Sequence, residues 1–373
     1  MRMRRTRTLV VAAAVAAALS LAGCSSSGST SGGSENLADA NTALGDASVV
    51  AAMDQLYKDA IAAGQTTITV YGPGETAKQQ IYDNVFSKRY PQIKVTGVQA
   101  AGPDFAAKLT AEAASGQHIA DLVQAGDTSI VPAIKNGWID PFTPVNVAGR
   151  VDAAKFSDPT NAVWAASSST FGYLYNTDKM KEADAPKGWL DLTNPKYQGL
   201  MTNEPVNKAG ASFGALTQLL YAGVIDSTWL SKLQGQNIAF QNDAATAANS
   251  VATGEHSLVP FYTMDNYLLL KATGAPVGFV FPTQDGVHLS SHYLGLVKGS
   301  KNPIAAKLLE TWLFTPEAQQ AAADIGYYPS VNGEPGPQGQ PSVDKLDLLK
   351  SYSLADLTAM NTKNLAAVKV AFP

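Results

Sequence analysis

Cysteine is almost absent from this sequence, which has one such residue, Cys24, in 373. Internal disulfide bonds and cysteine-based metal clusters both need more than one cysteine, so both are excluded. Positive charge is also scarce. Four of the 27 basic residues precede Cys24 and all 31 acidic residues follow it, so the remaining chain carries a formal charge near −8. This excess of negative charge argues against a nucleic-acid partner, which usually needs a basic patch.

Arginine and histidine are also scarce. Beyond Cys24 the arginines are Arg89 and Arg150, which weakens the case for a dianionic ligand held by arginine side chains. His288 and His292 are four residues apart in a segment that favours a strand, where such residues lie about 13 Å apart. One metal ion cannot contact both, so we predict no metal site and no cofactor. H-E-x-x-H and G-x-x-x-x-G-K-[ST] motifs are absent too, which argues against an enzyme.

Residues 1–23 have the pattern of a bacterial export signal. A basic start precedes an apolar run over 9–19, which is shorter than the roughly 20 residues of a membrane-spanning helix. Leu21-Ala22-Gly23-Cys24 then resembles the lipobox of bacterial lipoproteins, which implies cleavage before Cys24 and a lipid such as palmitate on its sulfur. The alternative is an ordinary cleaved secretory signal. We expect an extracytoplasmic protein anchored to the cell membrane through a flexible Ser/Gly-rich tether at 24–47.

After the tether, short apolar strands alternate with amphipathic helices, a pattern typical of a parallel sheet covered by helices. Strands are predicted at 68–71, 93–98, 119–123, 171–175, 238–240, 258–261, 277–281 and 288–297. Helices are predicted at 75–89, 104–114, from 128, from 177, at 213–222, 243–253, from 264, at 303–313 and 316–324. In such sheets ligands bind beyond the carboxyl ends of the strands, so the loops at 71–76 and 124–129 are the predicted cleft loops.

Eight segments resemble one known family in their order along the chain, covering roughly residues 66–335. They are 68–71, 121–127, 172–177, 188–199, 253–255, 295–303, 310–319 and 326–329. The family is the type II periplasmic-binding proteins, in the group that includes iron(III), thiamine, polyamine and phosphonate carriers. The resemblance implies an α/β fold of two domains with the ligand cleft between them. It places the domains at 65–168 plus 286–340 and at 174–280, with a C-terminal helical segment at 341–373.

The resemblance also implies a role. It predicts a monomer without catalytic activity that captures a small polar solute and delivers it to the permease and ATPase of an ABC importer. An exported lipoprotein hydrolase and a ligand sensor for a membrane receptor are the alternatives, and the sensor needs the same closing cleft.

The candidates for contact with the solute are Tyr71, Thr76, Asp127, Ser168, Ser169, Ser212 and Tyr262. Tyr71 and Tyr262 lie at strand ends, where they can line a cleft. Ser212 opens a helix whose free N–H groups attract anions, although it could equally cap that helix. Asp127 could bind a cation or cap a helix. The hydroxyls of Thr76, Ser168 and Ser169 suit a polar ligand, although a Ser/Thr run such as the one that holds the two serines also occurs in ordinary linkers.

The ligand itself stays open at this point. The iron branch of the family has adjacent tyrosines after the strand at 258–261 and a histidine in the first loop. Here Thr263 follows Tyr262, and residues 72–76 hold no histidine, so ferric ion is disfavoured. A phosphonate or phosphate ester and a thiamine-like or polyamine cation are the other candidates. A cation gains weight if acids such as Asp265 point inward.

Overall fold

The computed structural model describes residues 42–100, 102–160, 162–207, 210–350 and 356–373. The predicted signal peptide at 1–23, the predicted lipid site at Cys24 and the tether up to residue 41 lie outside these residues. Residues 40–373 form one compact unit. In the part of the chain that is described, no helix combines the length and the apolar character that crossing a membrane requires.

The strands alternate with helices as the sequence pattern predicts. Strands β1 to β11 are Thr67–Gly72, Lys94–Gln99, Leu122–Ala125, Ile139–Asp140, Trp164–Asn176, Thr202–Asn203, Ala239–Phe240, Leu258–Thr263, Val277–Val280, Leu289–Val297 and Tyr327–Pro329. Helices α1 to α12 are Ala47–Ala62, Glu75–Ile81, Gly102–Ser115, Asp127–Lys135, Ala153–Phe156, Ala211–Ala222, Ser227–Gln234, Ala244–Ala252, Met264–Ala272, Pro303–Trp312, Pro316–Asp324 and Leu357–Ala371. Helix α2 continues through a π-helical turn at Tyr82–Phe86 into Ser87–Arg89.

The first lobe, residues 42–166 and 289–346, is built on a parallel core. Strand β1 pairs in parallel with β2 and β3, and β10 pairs antiparallel with β3. The main order across the sheet is β11-β5-β10-β3-β1-β2. Apolar side chains such as Ile68, Val70 and Leu122 are fully buried in this lobe. Because the parallel strands β1 and β3 end at the same edge, their following loops lie close together.

Strand β5 joins the first lobe to a second, which comprises residues 171–281 and 349–373. The first half of β5 pairs with β10 and β11, and its second half pairs with β8 and β9. All of its residues are buried. Two further groups of buried apolar residues surround the second half of the strand. One continuous strand therefore contributes to the sheets of both lobes.

The chain passes from the first lobe to the second again after residue 346, where it pairs with the segment at Val287. The N–H of Val287 donates to the carbonyl of Asp347 at 2.7 Å, and the N–H of Leu349 donates back to Val287 at 2.9 Å. Helix α12 then packs on the second lobe, where the Asn364 side chain donates to the carbonyl of Thr217 at 3.1 Å. The C-terminal residues thus belong to the second lobe.

The helix predicted from residue 177 is wrong. The side-chain oxygen of Asn176 accepts hydrogen bonds from the N–H groups of Asp178 and Lys179, at 2.9 and 3.2 Å. Such a side-chain turn competes with helix formation. The chain forms only a short 3₁₀ turn at Glu182–Asp184 before the next loop.

The third strand begins three residues later than its predicted start, at Leu122 rather than at residue 119. The Glu112 carboxylate accepts the N–H groups of Ile119 and Ala120, at 2.8 and 3.1 Å, so these groups do not join the sheet. Helix α1 lies where the sequence pattern predicted no element. Its Met53 side chain is fully buried in the first-lobe core.

Gly172 lies where β5 passes into the second lobe, next to a shift in its register with β8. A Cβ atom on this residue would lie 2.3 Å from the carbonyl oxygen of Val280 and 2.5 Å from the Phe279 ring. We expect Gly172→Ala to lower the free energy of unfolding by about 1–3 kcal/mol, because overpacking forces the neighbours apart. Urea denaturation measures this change. Gly214→Ala is the control: it meets nothing within 4 Å in α6 and should stabilise the helix slightly. An undiminished stability of the Gly172 variant would contradict the expectation.

Candidate functional site

Polar side chains from both lobes meet beside β5, near the carboxyl ends of β1 and β3. We call seven of them, each at most 7% exposed, the interlobe polar cluster: Glu75, Lys78, Tyr82, Ser169, Asp265, His292 and Tyr327. They come from α2 and its π-helical extension, from β5, β10 and β11 of the first lobe, and from the start of α9 in the second lobe. Because a buried polar group is costly without a partner, the pairing within this cluster indicates what it can bind.

A buried ion pair forms one side of the cluster. The ammonium group of Lys78 lies 3.2 Å from Glu75 Oε1 and donates to the carbonyl of Pro73 at 3.0 Å. The hydroxyl of Tyr82 donates to Glu75 Oε2 at 2.9 Å. Burial raises the pKa of the Glu75 carboxyl, while Lys78 and Tyr82 act in the opposite direction. Both carboxylate oxygens of Glu75 therefore have partners within the protein.

Two glycines make room for this buried carboxylate. A Cβ atom on Gly97 would lie 3.1 Å from Glu75 Oε2. A Cβ atom on Gly72 would lie 3.1 Å from Glu75 Oε1 and 2.1 Å from the carbonyl oxygen of Gln124. Larger residues at either position would displace the acid or the strand beside it. The predicted first cleft loop is thus closely packed against the neighbouring strands.

Aromatic and imidazole rings fill the middle of the cluster. The Lys78 ammonium group lies 5.1 Å from the centre of the Tyr327 ring, within cation–π range. The His292 ring packs edge-on against Tyr327 at 5.4 Å, and His292 Nε2 lies 3.3 Å from Ser169 Oγ. Burial, and secondly Lys78, lowers the pKa of His292 well below its ordinary value. His292 is therefore neutral, and within the described part of the chain its Nδ1 atom has no hydrogen-bond partner.

Asp265 brings the second lobe into the cluster. It lies in the first turn of α9 and is 7% exposed, and a Cβ atom on Gly326 of the first lobe would lie 2.8 Å from its Cα. Burial raises the pKa of the Asp265 carboxyl, against the effects of Thr263, Lys78 and Ser169. Its Oδ1 atom has no hydrogen-bond partner among the described residues. Asp265 thus offers an unpartnered acceptor where the lobes meet.

One residue of β8, shortly before α9, has a left-handed backbone conformation. Phe261 has φ of 57°, a value that bulky side chains rarely adopt. Such a conformation costs on the order of 1–3 kcal/mol and persists only where packing enforces it. Here the ring stacks on Trp189, with centres 5.8 Å apart and planes 11° apart. Phe261 lies inside β8, beside the shift in its register with β5, three residues before α9 begins at Met264.

The structure places Tyr71 and Thr76 away from the cluster. The Tyr71 ring lies 5.9 Å from the Lys108 ammonium group. Burial, and secondly a hydrogen bond with Glu112, raises the pKa of Tyr71. Its side chain therefore faces helix α3. Thr76 is exposed on α2.

The two predicted serines of β5 point in opposite directions, as neighbours in a strand do. Ser169 belongs to the cluster. Ser168 Oγ lies 3.3 Å from Ser291 Oγ on the other face. Asp127 is half-buried at the start of α4, where its carboxylate accepts the N–H of Thr128 at 2.6 Å.

Ser212 is buried at the first turn of α6. Its N–H donates to Glu204 Oε1 at 2.8 Å, and its hydroxyl donates to Asn203 Oδ1 at 3.2 Å. The segment 210–214 reads Gly-Ala-Ser-Phe-Gly, which matches the G-x-S-x-G pattern of α/β-hydrolase nucleophiles. In those enzymes a histidine binds the serine hydroxyl. Here the hydroxyl binds an amide instead, so the match lacks its base among the described residues.

Tyr262 packs into the core of the second lobe and is 7% exposed. Burial, and secondly Asp265, raises its pKa to about 12. The sequence pattern points to none of Glu75, Lys78 and Tyr327 as contacts, and it predicts of His292 only that it shares no metal ion with His288. Of these residues, only the Glu75–Lys78 ion pair could have been found from the sequence. The two residues have the helical i, i+3 spacing, next to the predicted cleft loop at 71–76. The described residues contain no group of three or more His, Cys, Asp or Glu side chains placed to hold a metal ion.

The sequence is similar to known binding proteins. Residues 117–349 match the family model described as bacterial extracellular solute-binding protein. An uncharacterized protein of Haemophilus influenzae is 26% identical over 199 residues, 51% of this chain and 56% of that protein. This chain thus spans little more than half of that relative. The probable ABC transporter periplasmic-binding protein y4fP of Sinorhizobium fredii is 24% identical over 278 residues, 70% of this chain and 74% of its own.

Solved structures share the fold. Iron-bound HitA from Pseudomonas aeruginosa has a TM-score of 0.66 at 21% identity, covering 82% of this chain and 99% of its own. The periplasmic binding protein AfuA from Actinobacillus pleuropneumoniae, with fructose-6-phosphate bound, has a TM-score of 0.64 at 19% identity and the same coverage. These likenesses confirm the predicted α/β, two-domain type II periplasmic-binding-protein fold. Because the two structures hold different ligands, the fold does not specify the solute.

Proposed function

This chain belongs to the family of bacterial extracellular solute-binding proteins, and on that premise we propose that it is the substrate-binding component of an ABC importer. It captures a small polar solute outside the membrane and delivers it to a permease and its ATPase. The name of the Sinorhizobium fredii relative supports the transporter assignment. The observation that carries the proposed site is the interlobe polar cluster, a buried polar set from both lobes in which the Asp265 and His292 side chains each keep an unpartnered atom.

We propose that the solute binds between the lobes at this cluster, with Ser169, Asp265 and His292 as contacts. We propose the domains at 65–168 with 286–340 and at 174–280, which the separate apolar cores on the two halves of β5 support; helix α1 packs with the first of these cores, and residues 349–373 pack with the second lobe. Because the cluster is buried, entry of a solute requires the lobes to open. Tyr71, Thr76, Asp127, Ser168, Ser212 and Tyr262 remain proposed contacts for the open form, with weaker support.

We also propose that the protein is a monomer held at the membrane by lipid on Cys24 and that it has no catalytic activity. The lipobox-like segment supports the anchor. The pairing of the Ser212 hydroxyl with Asn203 speaks against the hydrolase alternative. The second candidate function is a sensor of the same solute. Its partner would be a membrane receptor instead of the permease.

A thermal-shift screen tests the receptor function. The chain from residue 24 onward, with Cys24→Ser, is unfolded and refolded to remove carried solute, and then exposed to phosphonates, sugar phosphates, thiamine, polyamines and ferric citrate. We expect one class to raise the melting temperature progressively with concentration. A ligand that binds only the folded state contributes about 2.7 kcal/mol at a hundredfold excess over Kd. No shift with any class, together with turnover of a generic ester, would favour the hydrolase instead.

A further inference from the structure

The described arginines have acidic partners. Arg89 donates to both carboxylate oxygens of Glu317, at 2.6 and 2.5 Å. Arg150 lies 3.6 Å from Glu334 Oε1. Both arginines therefore already hold carboxylates, and both pairs lie in the first lobe. Neither belongs to the interlobe polar cluster.

The helix N-terminus expected to attract an anion also holds a carboxylate already. Glu204 Oε1 accepts the N–H of Ser212 in the first turn of α6 at 2.8 Å. A Cβ atom on Gly210 would lie 3.2 Å from the same oxygen. A negative charge at this position is what the helix dipole favours. An anionic solute would have to displace this acid.

The cation in the cluster is engaged as well. Lys78 contacts Glu75, the Pro73 carbonyl and the Tyr327 ring. Asp265, by contrast, has an oxygen without a hydrogen-bond partner although its residue is 7% exposed. Gln124, at the end of β3, is 2% exposed and likewise has an unpartnered side-chain oxygen. Buried acceptors without donors are costly, and a ligand that donates N–H groups would satisfy them.

We propose that the solute carries a positively charged nitrogen group, such as a protonated amine, and that Asp265 is the residue that binds it. This proposal rests on the receptor function proposed above. A cation bound at Asp265 neutralises the charge of the Asp265 carboxylate. Lys78 does not neutralise this charge alone, because Lys78 also pairs with Glu75. The charged and titratable groups that act on Asp265 or respond to it are Lys78, Tyr262 and Tyr327.

Matched pairs of probes test the inference by isothermal titration calorimetry. 1,5-Diaminopentane is compared with 1,5-pentanediol, and 2-aminoethylphosphonate with ethylphosphonate, using the refolded chain from residue 24 with Cys24→Ser. We expect binding by an amine-bearing member and not by its amine-free counterpart. Asp265→Asn should weaken that binding roughly 10- to 100-fold, the range for a hydrogen bond to a charged group.

Two further measurements separate binding from folding. Asp265→Asn should melt at the same or a higher temperature than the unmodified protein without solute, because it removes a carboxyl group whose charge is costly to bury. Because burial raises the pKa of the Asp265 carboxyl, affinity for the amine should rise as the pH is raised and this carboxyl ionises, and the Asn variant should lose this rise. Asp178→Asn, on the exposed surface of the second lobe, is the control and should bind like the unmodified protein.

The outcomes distinguish this inference from the function on which it rests. If an amine-free solute binds as tightly as its amine-bearing partner, or if Asp265→Asn binds unchanged, the inference is wrong and the receptor function stands. If no probe of either kind binds, the inference also fails. The receptor function fails with it only when the wider screen is negative and an ester is turned over.

Discussion

Replacing Lys78 with methionine should lower the free energy of unfolding by about 3–5 kcal/mol at neutral pH, because it leaves a buried charge without its partner. Glu75 is fully buried, and its Oε1 atom has Lys78 as its partner at 3.2 Å. Tyr82 would remain on the other oxygen only. Methionine keeps most of the apolar volume of the lysine chain, so the loss reports charge more than packing. Urea denaturation followed by circular dichroism measures it.

Lys155→Met is a matched control for this experiment. Lys155 pairs with Asp152 at the same i, i+3 spacing and at 3.1 Å, but these side chains are 47% and 39% exposed. Exposed pairs contribute about 0–1 kcal/mol, so this variant should be nearly as stable as the parent. The double variant Glu75→Gln, Lys78→Met should recover most of the loss, since neither partner of this ion pair is then left buried and charged alone. A double variant as unstable as Lys78→Met alone would show that packing, not charge, accounts for the effect.

The elements with strong local patterns were predictable from the sequence. Helices α10 and α11 each begin with a proline at the first position, which suits a helix start, and their predicted bounds differ from the observed ones by at most one residue. Strand β5 was predicted only at 171–175, whereas it spans Trp164–Asn176. Its first half is rich in alanine and serine, and it is held as a strand by β10 and β11 on either side. Local residue preferences do not determine strand pairing of this kind.

The sequence predicted where the candidate site lies better than it predicted which residues form it. The sequence pointed to the loops after β1 and β3 and to Ser168 and Ser169, and the cluster lies beside these loops and includes Ser169. His292 and Tyr327 enter it from β10 and β11, more than 120 residues along the chain from Ser169, through the pairing of these strands with β5. Tyr71 was expected in the cleft because it ends a strand, but its side chain faces Glu112. Which face a strand-end residue occupies depends on register, which becomes known only when the sheet is assembled.

A second buried acid lies outside the cluster. Glu310 lies on α10 among buried Leu308, Leu309 and Trp312 and is 0% exposed. Neither of its carboxyl oxygens has a hydrogen-bond partner among the residues that the structure describes. Burial raises its pKa to about 8, against a weaker opposite effect of Lys307. Below its ordinary pKa near 4.5 the group is protonated in both folded and unfolded chains. Between that value and pH 8 the folded chain keeps a proton that the unfolded chain releases.

Stability should therefore fall as pH rises from 5 to 8, by about 1.4 kcal/mol per pH unit from this residue, or roughly 4–5 kcal/mol in total. Glu310→Gln removes the titration, so it should match the parent near pH 5 and be more stable by that amount near pH 8.5, as measured by urea denaturation at both values. Asp324→Asn, exposed on α11, should change stability by less than about 0.5 kcal/mol at either pH. Parallel pH dependence in parent and Glu310 variant would mean that the carboxyl finds a partner or water in solution, and that α10 is less tightly packed against the core than its burial indicates.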